Sequence, residues 1–413
     1  MKEKVALVGI ETAKNSERFF ESMKELNHLV KTAKGEVVYT LTQKRVNYDP
    51  KTLIGKGKLE ILKNMVEAYE ADLVIFNQEL SPRQGQYLED ALGVRVIDRV
   101  QLILDIFAMR AQSKEGKLQV ELAQLSYQLP RIMGQGLALS RLGGGIGTRG
   151  PGETKLETDR RHIRVRIHAI KKELEQVAKH RERSRQRRNE GNQFNIGLIG
   201  YTNAGKSTIM NLLTASHTYE ENELFATLDP LTKQWKMPQG MVVTLTDTVG
   251  FIQDLPTELI DAFQSTLEES RGMDLLLHVV DAADPARLEQ EKTVLSLLDR
   301  LDMSEMPLLT VYTKEDQLEG RNFIPTLHPF CLINAKSTKG KTVLTDSVRR
   351  RMMEIMEPYA LEVPAEDGQT LSRLRTETLL LKEQFEEEKN QYLVTGFAKE
   401  NSRWIKEDKN ELE

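Results

Sequence analysis

The sequence predicts an α/β protein with two globular parts and a long helical hairpin between them. Three observations carry that prediction. Through residues 1–98, short apolar runs alternate with helix-period segments, the pattern of βα units on a parallel sheet. Two long helix-period stretches follow, separated by a glycine-rich loop. Beyond them, Gly200-Tyr201-Thr202-Asn203-Ala204-Gly205-Lys206-Ser207 fits G-x-x-x-x-G-K-[ST] between an apolar run and a helical one, the order of a phosphate loop.

In the first part the expected strands are 4–8, 37–41, 73–76 and 94–97. The expected helices are 16–33, 56–69 and 82–92, the last opened by Ser81-Pro82, a cap followed by a first-turn proline. Gly55-Lys56-Gly57-Lys58 lacks the spacing of a phosphate loop and reads as a lead into a helix. A long helix is expected over 99–129, broken near Gly116 and stopped by Pro130. A second is expected over 154–188, where Ile163, Ile167, Ile170, Leu174 and Val177 follow the spacing of a coiled-coil seam, so the two form an antiparallel hairpin. The loop between them, 131–153, carries Arg131, Arg141 and Arg149 with little apolar surface, and is expected to be mobile until a polyanion orders it. Gly145-Ile146-Gly147-Thr148-Arg149-Gly150 matches G-x-G-x-x-G, but no strand precedes it, which sets a dinucleotide site aside. The domains expected are an N-terminal α/β domain (1–98), the hairpin (99–190), a nucleotide domain with a mostly parallel sheet (191–357) and a short C-terminal segment (358–413).

With 39% hydrophobic and 29% charged residues over 413 positions, the chain has the composition of a soluble globular protein of several domains. Its single cysteine, Cys331, cannot form an internal disulfide, and no apolar run is long enough for a signal peptide or a membrane helix. A soluble cytoplasmic monomer is expected. The net charge is −4, yet residues 155–188 hold 13 Lys and Arg against 5 Asp and Glu. Such concentrated basic charge with few aromatics suits contacts to a nucleic-acid backbone better than stacking on bases.

The phosphate loop implies its chemistry. Backbone N–H groups from Gly200 to Thr208 face a polyphosphate at a helix N-terminus, Lys206 reaches the β and γ phosphates, and Ser207 holds Mg²⁺. Phe225-Ala226-Thr227-Leu228-Asp229 lies where a switch loop is expected, with Thr227 toward Mg²⁺ and the γ-phosphate. The run 241–246 ends in D-x-x-G, placing Asp247 near Mg²⁺ and the Gly250 N–H on the γ-phosphate. Lys206, Thr227 and Gly250 are the catalytic candidates, and Ser207, Thr227 and Asp247 the metal candidates. Phe251, after that glycine, has no side-chain donor or acceptor to orient a water, so slow hydrolysis by the free protein is expected. Further on, Thr313-Lys314-Glu315-Asp316 follows an apolar strand. Asp316 can accept the ring N–H and amine of guanine, which adenine does not offer, and Lys314 can cover the base. Asn334-Ala335-Lys336 follows another strand and can supply the Ala335 N–H to the guanine oxygen.

Taken in order, these elements resemble a translation-factor-type GTPase, and the whole chain resembles the HflX family of ribosome-associated GTPases. The likeness rests on Leu53-Ile54-Gly55-Lys56-Gly57-Lys58, Asn77 to Pro82, Val96 to Ile103, Gly143 to Thr154 and Phe225 to Asp229, and runs over about residues 1–355. It implies docking of the N-terminal domain and hairpin on the large ribosomal subunit, rRNA contacts through the glycine loop and basic helix, and the splitting or rescue of stalled ribosomes under stress. Three departures stand out. Thr313 replaces the usual asparagine and loses an amide able to bridge to the phosphate loop, so weaker nucleotide binding is expected with guanine choice kept by Asp316. Asn334 replaces a serine, and the charged tail from Leu361 is only faintly similar. The competing reading is a GTP-dependent regulator of a protein partner docked on the hairpin, without RNA.

Overall fold

The computed structural model describes residues 2–139, 151–190, 193–214, 225, 231–247, 250–252, 269–318, 320 and 322–405. Two compact units divide the chain. One comprises Met1–Val177, Glu223–Leu228 and Gln253–Phe263; the other comprises Ala178–Asn222, Asp229–Ile252 and Gln264–Glu413.

In the first unit, β1 (Lys4–Glu11), β2 (Glu36–Lys44), β3 (Leu73–Phe76) and β4 (Arg95–Asp98) form a parallel sheet in the order β2-β1-β3-β4. Helices cover both faces, which is why β1 and β3 read as unbroken apolar runs. Ala6, Val8, Ile10, Val74 and Phe76 cluster with Leu62 and Val66 of α2 (Lys56–Tyr69) and Leu88 and Leu92 of α3 (Pro82–Leu92). Gly9 faces α1 (Phe19–Thr32), where an added Cβ would fall 2.3 Å from the Met23 sulfur. Ser81 and Gln84 form a reciprocal capping box that starts α3 where its Ser-Pro signal predicts.

The helical region departs from expectation twice. α4 (Arg99–Arg110) and α5 (Lys114–Leu139) separate at 111–113, before Gly116, because Ser113 Oγ accepts the Gly116 N–H at 2.8 Å and caps a new helix. α5 then runs through Pro130, so Arg131 lies in a helix and not in the loop. A proline inside a helix costs about 3 kcal/mol, and here a buried network holds the turn around it. The Asp98 carboxylate, wholly buried, accepts the Leu80 N–H (2.9 Å), the Gln101 N–H (3.0 Å), the Tyr127 hydroxyl (2.6 Å) and Arg131 Nη2 (2.9 Å). Arg131 also donates to Leu80 O (2.8 Å) and Tyr127 O (3.2 Å), with its guanidinium 3.3 Å from the Tyr127 ring centroid. Burial, with the Asp98 charge beside it, pushes the Tyr127 hydroxyl far above its ordinary range, so it stays a donor. Arg131 is therefore engaged in joining α5 to β4, which corrects its placement in the loop.

α6 (Pro151–Glu190) packs antiparallel on α5 through Leu118, Leu122 and Ile170, with Leu125, Ile167 and Leu174 alongside. Of the expected seam, Ile167, Ile170 and Leu174 are the residues in this cluster. Arg166 donates two parallel bonds to Glu121 at 2.6 and 2.7 Å across it.

The second unit holds β5 (Phe194–Gly200), β6 (Leu231–Lys236), β7 (Val242–Asp247), β8 (Leu275–Asp281), β9 (Leu308–Thr313) and β10 (Phe330–Leu332), in the order β10-β9-β8-β5-β7-β6. Only the β6–β7 pairing is antiparallel. α7 (Lys206–Thr214), α8 (Arg287–Arg300) and α9 (Thr338–Ile355) accompany these strands. The charged tail is folded: β11 (Glu357–Pro364), α10 (Gly368–Glu377), β12 (Leu379–Glu386) and β13 (Gln391–Ala398) form an antiparallel sheet, β11-β13-β12, with one helix. Its core gathers Tyr359, Leu361, Val363, Leu374, Val394 and Trp404. Buried Tyr359, Leu361 and Val363 alternate with exposed Pro358, Ala360, Glu362 and Pro364 along β11, and that period of two is what a reading by net composition overlooks.

Replacing Asp98 by Ala takes this acceptor from Arg131, the Tyr127 hydroxyl and the Leu80 and Gln101 N–H groups. A loss of about 3–5 kcal/mol in local stability is expected, seen as faster hydrogen exchange in β4 and α5. Unchanged protection there would remove the network from the account of this fold.

Candidate functional site

The phosphate loop leaves β5 at Gly200, where φ is 149° and an added Cβ would stand 2.2 Å from Val279 O of β8. Only glycine fits that approach. Asn203 (φ 61°) and Gly205 (φ 101°) complete the turn into α7, asparagine being one of the few side chains tolerated in the left-handed region. Lys206 is buried and its Nζ donates to Gly200 O (3.0 Å) and Tyr201 O (2.9 Å), which arches the loop over the ammonium. Among the described residues this leaves one of its three N–H donors for a ligand. Burial pushes its pKa down to about 8, with the nearby Asp247 charge acting the other way. Ser207 Oγ donates to Asp247 Oδ2 at 3.1 Å, so the start of α7 meets the end of β7 across a pair of hard oxygen donors, the ligand type Mg²⁺ takes. These residues fit that ion.

Gly250 lies directly over the loop, where a Cβ would stand 2.9 Å from both Lys206 Nζ and Thr202 Cγ2. The next residue is stitched to the loop by its backbone: Thr202 N–H donates to Phe251 O (2.7 Å) and Phe251 N–H to Gly200 O (3.1 Å). The Phe251 ring is buried, so its place is in packing. Ala226 and Thr227 lie outside the described residues, as do Arg141 and Arg149. Phe225 is buried, with its ring edge-on to Phe107 of α4 at 4.5 Å, which engages the side chain in packing within the first unit.

The base element abuts the same loop. Thr313, buried at the end of β9, donates its hydroxyl to Ala204 O at 2.7 Å, and Val280 O lies 3.2 Å from the same oxygen. A hydroxyl has one proton, and the shorter contact is the bond. The bridge expected to be lost with the usual amide is thus made by a hydroxyl, which corrects the reading of Thr313. Lys314 (φ 57°) pairs with Asp281 at 2.6 Å, and Asp316 is exposed on the short turn Glu315–Gln317. The Glu315 N–H donates to Ile333 O (3.3 Å), bringing that turn beside Asn334-Ala335-Lys336. Asn334 Oδ1 accepts the Lys336 N–H at 2.9 Å, and α9 begins immediately after, capped by Ser337.

Two residues of β8 went unnoticed at the sequence level, because its apolar run matches no motif. Asp281 ends the strand beside Thr313. His278 is buried in its middle, with Nδ1 lacking a partner among the described residues. Burial, reinforced by the Lys206 charge, pushes its pKa down to about 4.

Known protein families match most of this chain. Residues 20–108 match the family described as GTP-binding GTPase N-terminal, 110–188 the GTP-binding GTPase Middle Region, and 195–314 the 50S ribosome-binding GTPase family. The GTPase HflX of Alkalihalophilus pseudofirmus is 50% identical over 401 residues, 97% of this chain and 95% of its own length. That of Escherichia coli is 41% identical over 375 residues, 89% of this chain and 88% of its own. Among solved structures, a GTP-binding protein from Sulfolobus solfataricus in complex with GDP is 25% identical over 85% of this chain and 99% of that one, with a TM-score of 0.46. Among the described residues, no helix is long and apolar enough to cross a membrane.

His278 predicts an acid limb in stability. Its folded pKa lies below the ordinary 6.5, so between about 4 and 6.5 the unfolded chain binds more protons and stability falls as pH drops through that window. His278→Gln should flatten the limb by up to ~3 kcal/mol, checked by urea denaturation at pH 5 and 7. Equal pH dependence in variant and parent would show the histidine to be uninvolved.

Proposed function

We propose that this chain, which belongs to the HflX family of GTPases, binds the large ribosomal subunit in its GTP state and splits or rescues stalled ribosomes. The observation that carries the nucleotide half of this reading is the meeting of three separated segments: the phosphate loop with Lys206 and Ser207, the D-x-x-G element with Asp247 and Gly250, and Thr313.

In that reading Lys206 directs its remaining N–H at the phosphates, and loop N–H groups at the start of α7 add donors that favour a polyanion. Ser207 and Asp247, with Thr227 from the switch loop, would hold Mg²⁺, which would supply charge neutralisation at the phosphate oxygens. Gly250, lying over Lys206, offers its N–H to the γ-phosphate. Asp316 accepts from guanine and excludes adenine. Phe251, buried and without a side-chain donor or acceptor, does not orient the attacking water, and the ribosome is the proposed source of that help.

The basic stretch of α6 supports an RNA partner. The hairpin's apolar seam is already filled by α5 against α6, which disfavours a protein docked on it as the main partner. Arg141 and Arg149 remain proposed ribosome contacts, with Arg131 withdrawn.

Lys206→Ala and Ser207→Ala are each expected to abolish phosphate release from GTP, because each removes charge or metal stabilisation of the transferring group; normal turnover in either would sink the assignment. Purified large subunits should raise wild-type turnover at least about tenfold, roughly 1.4 kcal/mol off the barrier. Deleting 143–150 should abolish that stimulation while leaving the intrinsic rate intact. A free enzyme that is already fast and indifferent to subunits, or a deletion that responds like the intact chain, would overturn the ribosome reading.

A further inference from the structure

We infer that Asp281 is a positioning residue for base recognition, acting through Lys314. The inference rests on the guanine reading of Thr313–Asp316. For a lysine to cover a base with its hydrocarbon stem, its charged head must be held beyond the ring; a free ammonium would be drawn into water. Asp281 provides that hold, accepting Lys314 Nζ on Oδ2 at 2.6 Å.

The carboxylate is itself fixed. Asp281 pairs with Thr313 in the β8–β9 register, the Ala282 N–H donates to Thr313 O at 3.1 Å, and the Ala283 N–H donates to Asp281 Oδ1 at 3.0 Å. One oxygen is thus tied to the backbone and the other points at the lysine. Side-chain exposure is 14% for Asp281 and 26% for Lys314, so the pair is better shielded than a surface ion pair. Lys314 also adopts a left-handed backbone, unusual for a lysine. The residue before it is bonded to the phosphate loop and the residue two after it carries the guanine acceptor. A lysine held at both its backbone and its head presents its stem at one place, and Asp281 sets that place without touching the nucleotide.

The test is a double-mutant cycle on the full chain, with GDP and GTP affinities measured by calorimetry for wild type, Asp281→Asn, Lys314→Met and the double variant, alongside Asp316→Asn. Asp281→Asn is expected to weaken both nucleotides about tenfold, and to cost no further affinity once Lys314 is Met. Should Asp281→Asn fail to fold, Asp281→Glu, which displaces the charge by one methylene, should lose about threefold in the lysine background and nothing in the methionine background. Equal losses in both backgrounds, or no loss with Lys314 intact, would overturn the inference. If Asp316→Asn weakens binding while Asp281→Asn does not, only the role of Asp281 falls. If neither Asp316→Asn nor Lys314→Met has an effect, the guanine reading falls with it.

Discussion

The second unit depends on a close approach between two backbones. A Cβ on residue 200 would stand 2.2 Å from Val279 O, so β5 can pair with β8 through to its last residue only with glycine at that point. The consequence reaches both halves of the site. β5 delivers the phosphate loop at its C-terminal end, and β8 delivers Asp281 beside it. β9, next in the sheet, brings Thr313 within 2.7 Å of the loop carbonyl at Ala204. Ligand sites at the carboxyl ends of parallel strands are the general outcome of such sheets, and here the register places the phosphate and base elements together.

Around that frame several of the loop's polar groups satisfy one another, while Thr202 Oγ1 is buried without a partner among the described residues. Lys206 holds two loop carbonyls, Ser207 and Asp247 hold each other, and Phe251 exchanges two backbone bonds with Gly200 and Thr202. A buried ammonium without such partners would be costly, and burial lowers its pKa even with them. Binding a polyphosphate restores a full set of negative partners to a cation already aimed. The site is organised beforehand by the chain, which reduces what the ligand must order.

The first unit uses a comparable device for a different end. One buried carboxylate, Asp98, joins β4, α4 and α5, and holds the turn of α5 that contains Pro130. The hairpin is thereby rooted in the sheet instead of hanging from a flexible joint. Its seam of Ile167, Ile170 and Leu174 keeps the apolar residues inside, while α6 retains its excess of basic residues.

The sequence by itself determined the elements whose signal is local. Alternating apolar runs marked β1 to β4, the four-three spacing marked the hairpin seam, and fixed glycines with Lys206 and Ser207 marked the phosphate loop, because backbone conformation and helical period are properties of neighbours in the chain. Tertiary structure alone decided what depends on distant partners. Arg131 became a strut because Asp98, 33 residues away, accepts it. Thr313 kept its bridge because a hydroxyl reaches Ala204 across 109 residues. His278 and Asp281 gained their surroundings from the strands that flank β8. The C-terminal module escaped notice because its apolar residues are too sparse to mark a core until three strands and a helix bring them together. Burial and hydrogen bonding are pairwise properties in space, and no window along the chain contains both members of such pairs.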